Sequence, residues 1–155
     1  MMRALRHTLL ILLIGMSQLA VAGVQIDADA NGVAIQGHDP VAYFTEGKPV
    51  AGKTDYTAEY NGASYHFASA ENRDLFVSDP GRYAPQYGGF CAFGTTFKMK
   101  VPGDPNAFKV VDDKLYINSS PDILSRWSQD IPGNIDKANS AWPEIADKSP
   151  EDLKK

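Results

Sequence analysis

Cysteine, basic charge and long apolar segments are all scarce in this chain. A single cysteine, Cys91, excludes an intramolecular disulfide. The net charge of −4, from 15 basic and 19 acidic residues, argues against nucleic acid and anionic lipid as partners, since both are bound by clustered lysine and arginine. We expect no membrane span after residue 22, because no later segment has the roughly 20 apolar residues that crossing needs.

Motifs of the common enzyme classes are missing as well. The sequence has no Gly-x-Ser-x-Gly elbow, no phosphate-binding glycine loop and no His-Glu-x-x-His motif. Cys91 with His38 or His66 would supply a nucleophile and a base. The sequence indicates neither a third orienting group nor an oxyanion donor for such a pair. We therefore predict a protein that is not an enzyme.

The first 22 residues have the pattern of a cleaved signal peptide. A basic start, an apolar run and a small-x-small pattern follow one another at Arg3–His7, Leu9–Ile14 and Ala20–Ala22. This order predicts cleavage after Ala22 and a periplasmic or secreted mature protein. The alternative is an N-terminal anchor that is not removed.

The rest of the chain predicts a single domain over residues 23–145 and a charged, frayed tail over residues 146–155. The segment 23–31 is short and polar, which is typical of a loosely ordered lead-in. Short extended pieces are expected at 33–35 and 41–44, on either side of a turn.

Two hairpins and three helices give the expected α+β fold. The runs 56–60 and 63–67 flank Asn61-Gly62, a pair that suits a type I′ turn. A second hairpin joins 108–111 to 115–117. We expect the hairpins to form a small twisted antiparallel sheet, with helices packed on one side at 69–78, 120–129 and 132–141.

Soft metal ligands are few once the signal peptide is set aside. They are His38, His66, Cys91 and Met99, a set that suits copper and, less well, zinc. The two histidines and the cysteine are about 25 residues apart, unlike a zinc knuckle. Each also has an ordinary alternative: a hydrogen bond in the turn for His38, exposure on a strand for His66, inert burial for Cys91, and packing or surface for Met99.

Several stretches of the sequence resemble the YHS domain family in its exported form. They are Gly37–Phe44, Tyr65–Ser69, Asn72, Phe76, Pro80, Tyr83, Pro85–Ala92 and Lys114–Asn118. The resemblance implies a fold similar to the small treble-clef-like metal-sensing modules of heavy-metal transporters and resistance proteins. In those modules, cysteines stand where this chain has Ala42, Ala68 and Asn72. The resemblance therefore does not carry over a thiolate-rich metal site.

We predict a periplasmic protein that binds or handles a soft metal, copper before zinc. Its site would use Cys91 with one or both histidines, and Met99 as a further ligand. One alternative is a periplasmic module that binds a ligand or a protein without metal. Another is a redox or dimerising thiol at Cys91. The expected partner is a metal ion or a periplasmic protein, and the chain is expected to be a monomer or a homodimer.

Overall fold

The structure is a computed structural model that describes residues 24–155. The predicted signal peptide and its cleavage site lie outside the described residues. The described chain forms two antiparallel two-stranded sheets with helices packed on them, which confirms the α+β prediction. Over the described range, no helix is both long enough and apolar enough to cross a membrane.

The first hairpin joins strand β1, Lys53–Tyr60, to strand β2, Ala63–Phe67. Its turn residues Asn61 and Gly62 have φ of 49° and 79°, which confirms the type I′ turn predicted from the Asn-Gly pair. Alternate residues of β2 are buried while His66 is half-buried. The strand therefore covers the core with one face only.

The second hairpin joins strand β3, Asp104–Val111, to strand β4, Lys114–Asn118. It also turns through two left-handed residues, Asp112 and Asp113, with φ of 49° and 58°. Strand β3 begins earlier than the sequence predicted, and its register is irregular between Asp104 and Phe108. The two hairpins remain separate sheets.

The predicted helices are present and begin where their capping residues indicated. The helices are α1 Ala42–Thr45, α2 Ala70–Ser78, α3 Pro80–Tyr83, α4 Ala92–Thr95, α5 Pro121–Trp127 and α6 Ile131–Ile145. Ser69 and Ser120 accept N–H bonds at the starts of α2 and α5. Helix α6 continues through Pro143, past the predicted end at 141, because its buried face extends to Ile145.

One element differs from its prediction. Residues 41–44 were expected to be extended, and this was wrong, because helix α1 occupies Ala42–Thr45. The side chain of Asp39 accepts N–H bonds from Val41 and Ala42. Such a bond satisfies donors at a helix start that the helix itself leaves free.

The buried residues form two clusters. The larger lies between the two hairpins and α2, with Tyr43, Tyr65, Phe67, Phe76 and Leu115 at its centre. The smaller packs β4 against α5 and α6; its buried members are Tyr87, Ala92, Tyr116, Trp127 and Ala138. Aromatic side chains are five of the thirteen buried residues in the larger cluster and three of the five in the smaller. Their large side chains supply much of the buried apolar surface that holds the fold together.

Both ends of the described chain contact the domain. Ile26, in the segment expected to be loosely ordered, is only 5% exposed. The backbone N–H of Asp27 donates to the carbonyl of Gly88 over 2.8 Å. In the C-terminal tail, Asp152–Lys154 forms a 3-10 turn. Residues from both ends of the described chain therefore line the same cleft.

Candidate functional site

A buried carboxylate organises the first hairpin and the two helices beside it. Asp39 is fully buried. Its Oδ1 accepts from the backbone N–H groups of Val41, at 2.8 Å, and Ala42, at 3.4 Å. Its Oδ2 accepts from the N–H of Ala68, at 2.9 Å, and from Nδ2 of Asn72, at 2.7 Å. Both oxygens are thus satisfied by donors from three chain segments.

This network occupies the positions where the family resemblance places cysteines. Ala42 is 26 residues from Ala68 and 30 from Asn72 in the sequence, yet all three donate to Asp39. In this chain the three positions surround the Asp39 carboxylate and contribute N–H donors to it, and none of them carries a thiol. The network ties α1, the end of β2 and α2 together through hydrogen bonds.

The two histidines lie on neighbouring segments beside this network. Nδ1 of His38 is 3.1 Å from the carbonyl oxygen of Ile35, so the tautomer that fits this contact donates from Nδ1. Nδ1 of His66 is 3.5 Å from the point that a Cβ on Gly37 would occupy. Gly52 packs directly on the backbone of His66, where a Cβ would come within 2.5 Å of its carbonyl carbon. The segments that carry the histidines therefore touch.

Cys91 is buried and hydrogen-bonded within the core. Its Sγ donates to Oδ1 of Asn118 over 3.6 Å and accepts from the backbone N–H of Gly94 over 3.4 Å. The same Asn118 oxygen accepts from the N–H of Phe93 over 3.0 Å, which fixes the orientation of the amide. The thiol is only 1% exposed, as expected for a structural cysteine.

Met99 lies on the segment next to Cys91 and is 48% exposed. Its backbone N–H donates to the carbonyl of Gly94 over 3.1 Å. A Cβ on Gly94 would lie 3.6 Å from the Cβ of Cys91 and 3.6 Å from the carbonyl oxygen of Met99. The two sulfur-bearing residues therefore flank the same glycine.

The structure thus brings the four candidate ligands together in two pairs. His38 and His66 lie on two segments that touch, and Cys91 and Met99 lie on two segments beside Gly94. Over residues 24–155, no three or more His, Cys, Asp or Glu side chains form a group that could hold a metal ion. The proposed ligand set stays a prediction.

A cleft between the two ends of the described chain was missed by the sequence analysis. We call it the terminal cleft; its volume is about 400 Å³. It is lined by Ile26, Asp27, Ala28, Phe90, Met99, Lys100, Val101, Pro102, Pro150, Glu151, Leu153 and Lys154. Most of these side chains are apolar. No sequence motif marks the cleft, because residues from distant parts of the chain form it only after the chain has folded.

Lys100 fixes the base of the terminal cleft. Its side chain is only 5% exposed. Its ammonium donates to the carbonyl oxygens of Val24, Ala146 and Lys148, the last two at 2.7 Å. An ammonium group has three donors, so none is left for a ligand. Lys100 therefore holds the N-terminal segment against the C-terminal tail.

The same ammonium lies over two aromatic rings. It is 5.4 Å from the ring centre of Phe90 and 5.2 Å from that of Trp142. Burial lowers the pKa of Lys100, and the negative charge of Asp147 opposes this shift. Contact with aromatic faces stabilises the cation that burial disfavours.

Asp27 is the acidic group on the N-terminal side of the terminal cleft. Its Oδ2 accepts from the backbone N–H of Gly103 over 2.7 Å. Burial raises the pKa of Asp27 above its ordinary value, and the Gly103 hydrogen bond opposes the rise. Among the described residues, no Lys, Arg or His side chain forms an ion pair with this carboxylate.

The N-terminal segment packs against the double glycine before Phe90. Gly88 has φ of 64°, and a Cβ there would lie 1.8 Å from the carbonyl oxygen of Gln25. A Cβ on Gly103 would lie 2.4 Å from the carbonyl oxygen of Gly89. These close backbone contacts need glycine. Gly88 therefore permits the close approach of Gln25 and Ile26 to the domain, and Gly103 permits the close approach of its own segment to Gly89.

These features define an α+β domain built around a buried carboxylate, with a cleft formed by its two ends. The family model described as YHS domain matches residues 41–87. The chain therefore contains a YHS domain over that range, as the resemblance predicted, and YHS domains are associated with metal binding. The match includes His66 but not His38, Cys91 or Met99. No curated protein and no solved structure matches the chain.

Proposed function

We propose that this protein is a periplasmic or secreted binding module that performs no chemistry on its ligand. In this proposal the YHS domain is a rigid framework, and the ligand binds in the terminal cleft. The observation that carries the proposal is the cleft itself, because a largely apolar cavity of about 400 Å³ lies within the size range of small-molecule sites.

The arrangement of the soft ligands favours this reading over a metal site. The thiol of Cys91 is buried and bonded to Asn118. Where the resemblance places thiolates, this chain has the hydrogen bonds of Asp39. A framework held by hydrogen bonds and aromatic packing does not need a metal ion to fold.

Export is supported by the order of basic start, apolar run and small-x-small pattern in residues 1–22. The experiment is expression of the full chain in a bacterium with a periplasm, followed by fractionation and mass spectrometry. We expect a periplasmic product that begins at Gly23. A cytoplasmic or membrane-bound product that retains residues 1–22 would contradict this part of the proposal.

Binding in the terminal cleft can be tested with N-phenyl-1-naphthylamine, a neutral probe that fluoresces in apolar surroundings. We expect saturable binding to the purified protein. Leu153 lines the cleft and Leu75 is exposed on α2, so they form a matched pair. Leu153→Asp should weaken binding about tenfold or more, since it places a charge in an apolar site. Leu75→Asp should leave binding unchanged, and equal effects of the two variants would refute the assignment.

Soft-metal handling is the second candidate. It is favoured by the association of YHS domains with metal binding and by the two sulfur-bearing residues on either side of Gly94. The ligands would be Cys91 and Met99, with His38 and His66 as the other predicted residues. Copper suits this set better than zinc, because thiolate and thioether sulfurs favour Cu(I).

The metal candidate is tested by titration with Cu(I) against a competing chelator, and separately with Zn²⁺. Stoichiometric Cu(I) binding that is lost in Cys91→Ser and weakened in Met99→Leu would support it. The double variant His38→Ala with His66→Ala then asks whether the imidazoles take part. Absence of stoichiometric binding, or binding unaffected by Cys91→Ser, would exclude the candidate.

A further inference from the structure

The terminal cleft contains a charged group that the apolar lining does not explain. Asp27 lies in its wall, and its position is fixed from two sides. Its backbone N–H donates to the carbonyl of Gly88, and its Oδ2 accepts from the N–H of Gly103. The carboxylate is therefore held at one place in the wall.

Only one of the two carboxylate oxygens is used by these contacts. Oδ1 of Asp27 receives no hydrogen bond from any described residue, whereas both oxygens of the buried Asp39 are satisfied. Oδ1 is not one of the buried polar atoms left without a partner, so it is open to a cation or a hydrogen-bond donor that enters the cleft.

The basic residues of the cleft do not supply that partner. Lys100 donates to three backbone carbonyls, so its donors are already used. Lys154 is exposed at the rim, where solvent screens its charge. The acidic Glu151 is exposed on the same turn. The free oxygen of Asp27 is thus the charged acceptor that a ligand inside the cleft would meet.

We propose that the terminal cleft binds an organic cation with an apolar body, and that the carboxylate of Asp27 receives its positive group. Chain segments 26–28, 99–102 and 150–154 would enclose the apolar body. This inference rests on the proposed function, because it names the ligand class of the same cleft.

Three probes with the same eight-carbon chain separate the charge from the apolar contact. They are octyltrimethylammonium, 1-octanol and octyl sulfate, each titrated calorimetrically into the purified protein. We expect octyltrimethylammonium to bind about tenfold more tightly than 1-octanol, which is the order of one ion pair in a partly desolvated site. Octyl sulfate should bind most weakly, and the preference for the cation should fall in high salt.

Asp27→Asn tests the carboxylate, because its amide oxygen can still accept from Gly103. Asp55→Asn is the matched control, since it makes the same charge change at an exposed position on β1. In Asp27→Asn the affinity for octyltrimethylammonium should fall to that for 1-octanol, while 1-octanol binds as before. In Asp55→Asn the tenfold preference should persist.

The outcomes distinguish this inference from the proposed function. If 1-octanol and the naphthylamine probe bind but the cation has no advantage, the ligand class is wrong and the binding cleft stands. Tightest binding of octyl sulfate would also overturn the ligand class. If none of the probes binds, the proposed function fails together with the inference.

Discussion

Replacing Asp39 with alanine should destabilise the domain strongly. The substitution removes the acceptor of three good hydrogen bonds, from Val41 N, Ala68 N and Asn72 Nδ2, and of a weaker one. A buried donor left without a partner costs about 1–3 kcal/mol. Asn72 is half-buried and can turn toward water. We therefore expect a loss of about 3–5 kcal/mol from a domain whose total stability is about 5–15 kcal/mol.

Asp39→Asn keeps the shape of the side chain but changes its hydrogen-bonding groups. An amide offers one acceptor and one donor group, so its NH₂ would face N–H groups at one of the two oxygen positions. We expect a loss of about 2–3 kcal/mol, between wild type and Asp39→Ala. Asp29 provides the control, because its exposed Oδ1 also accepts from two backbone N–H groups. Asp29→Ala should cost less than about 1 kcal/mol, since water replaces the lost acceptor.

The assay is urea unfolding at equilibrium, followed by tryptophan fluorescence and far-UV circular dichroism together. The fluorescence of the buried Trp127 follows the unfolding of the smaller cluster, and the circular dichroism follows the loss of helix. A shift in midpoint at constant slope would show a change in stability alone. If Asp39→Ala cost less than about 1 kcal/mol, or no more than Asp29→Ala, the network would not hold the first hairpin and its helices together.

Three further predictions concern the ends of the chain and the thiol. Gly88→Ala should destabilise far more than Gly32→Ala in urea unfolding, because both glycines have positive φ but only at Gly88 would the Cβ strike Gln25; similar losses would contradict this. Burial lowers the pKa of Lys100, so the folded state binds fewer protons there than the unfolded state. The stability of wild type relative to Lys100→Met should then rise as the pH increases toward 10.5, the ordinary pKa of lysine, and a flat or falling difference would refute it. Cys91 should react with Ellman's reagent at least about a hundredfold more slowly in native protein than in urea; equal rates, or a disulfide dimer on non-reducing electrophoresis, would support a redox or dimerising thiol.

Local signals in the sequence were enough to predict the hairpins and the helix starts. Asn61-Gly62 closes the first hairpin because both residues take positive φ. Ser69 and Ser120 cap their helices because a serine hydroxyl can accept from the free N–H groups of the first turn. Such interactions involve residues within four positions of each other, so the sequence pattern contains both partners.

Helix α1 shows where local signals fail. The residues 41–44 are apolar, with a β-branched and two aromatic side chains, which is typical of a strand. The Asp39 carboxylate caps them as a helix, and Ala68 and Asn72 hold that carboxylate in place. The decisive partners lie about 30 residues away, and no local pattern contains them.

The sequence by itself determined the α+β class, the lone cysteine and the presence of a YHS domain, because these follow from composition, short-range patterns and a family resemblance. Tertiary structure decided the surroundings of each candidate residue. It buried Cys91 against Asn118, joined positions 42, 68 and 72 through Asp39, and brought the two ends together at Lys100. The physical reason is that burial, close approach and the partner of a hydrogen bond depend on segments far apart in sequence, and only the folded chain brings them into contact.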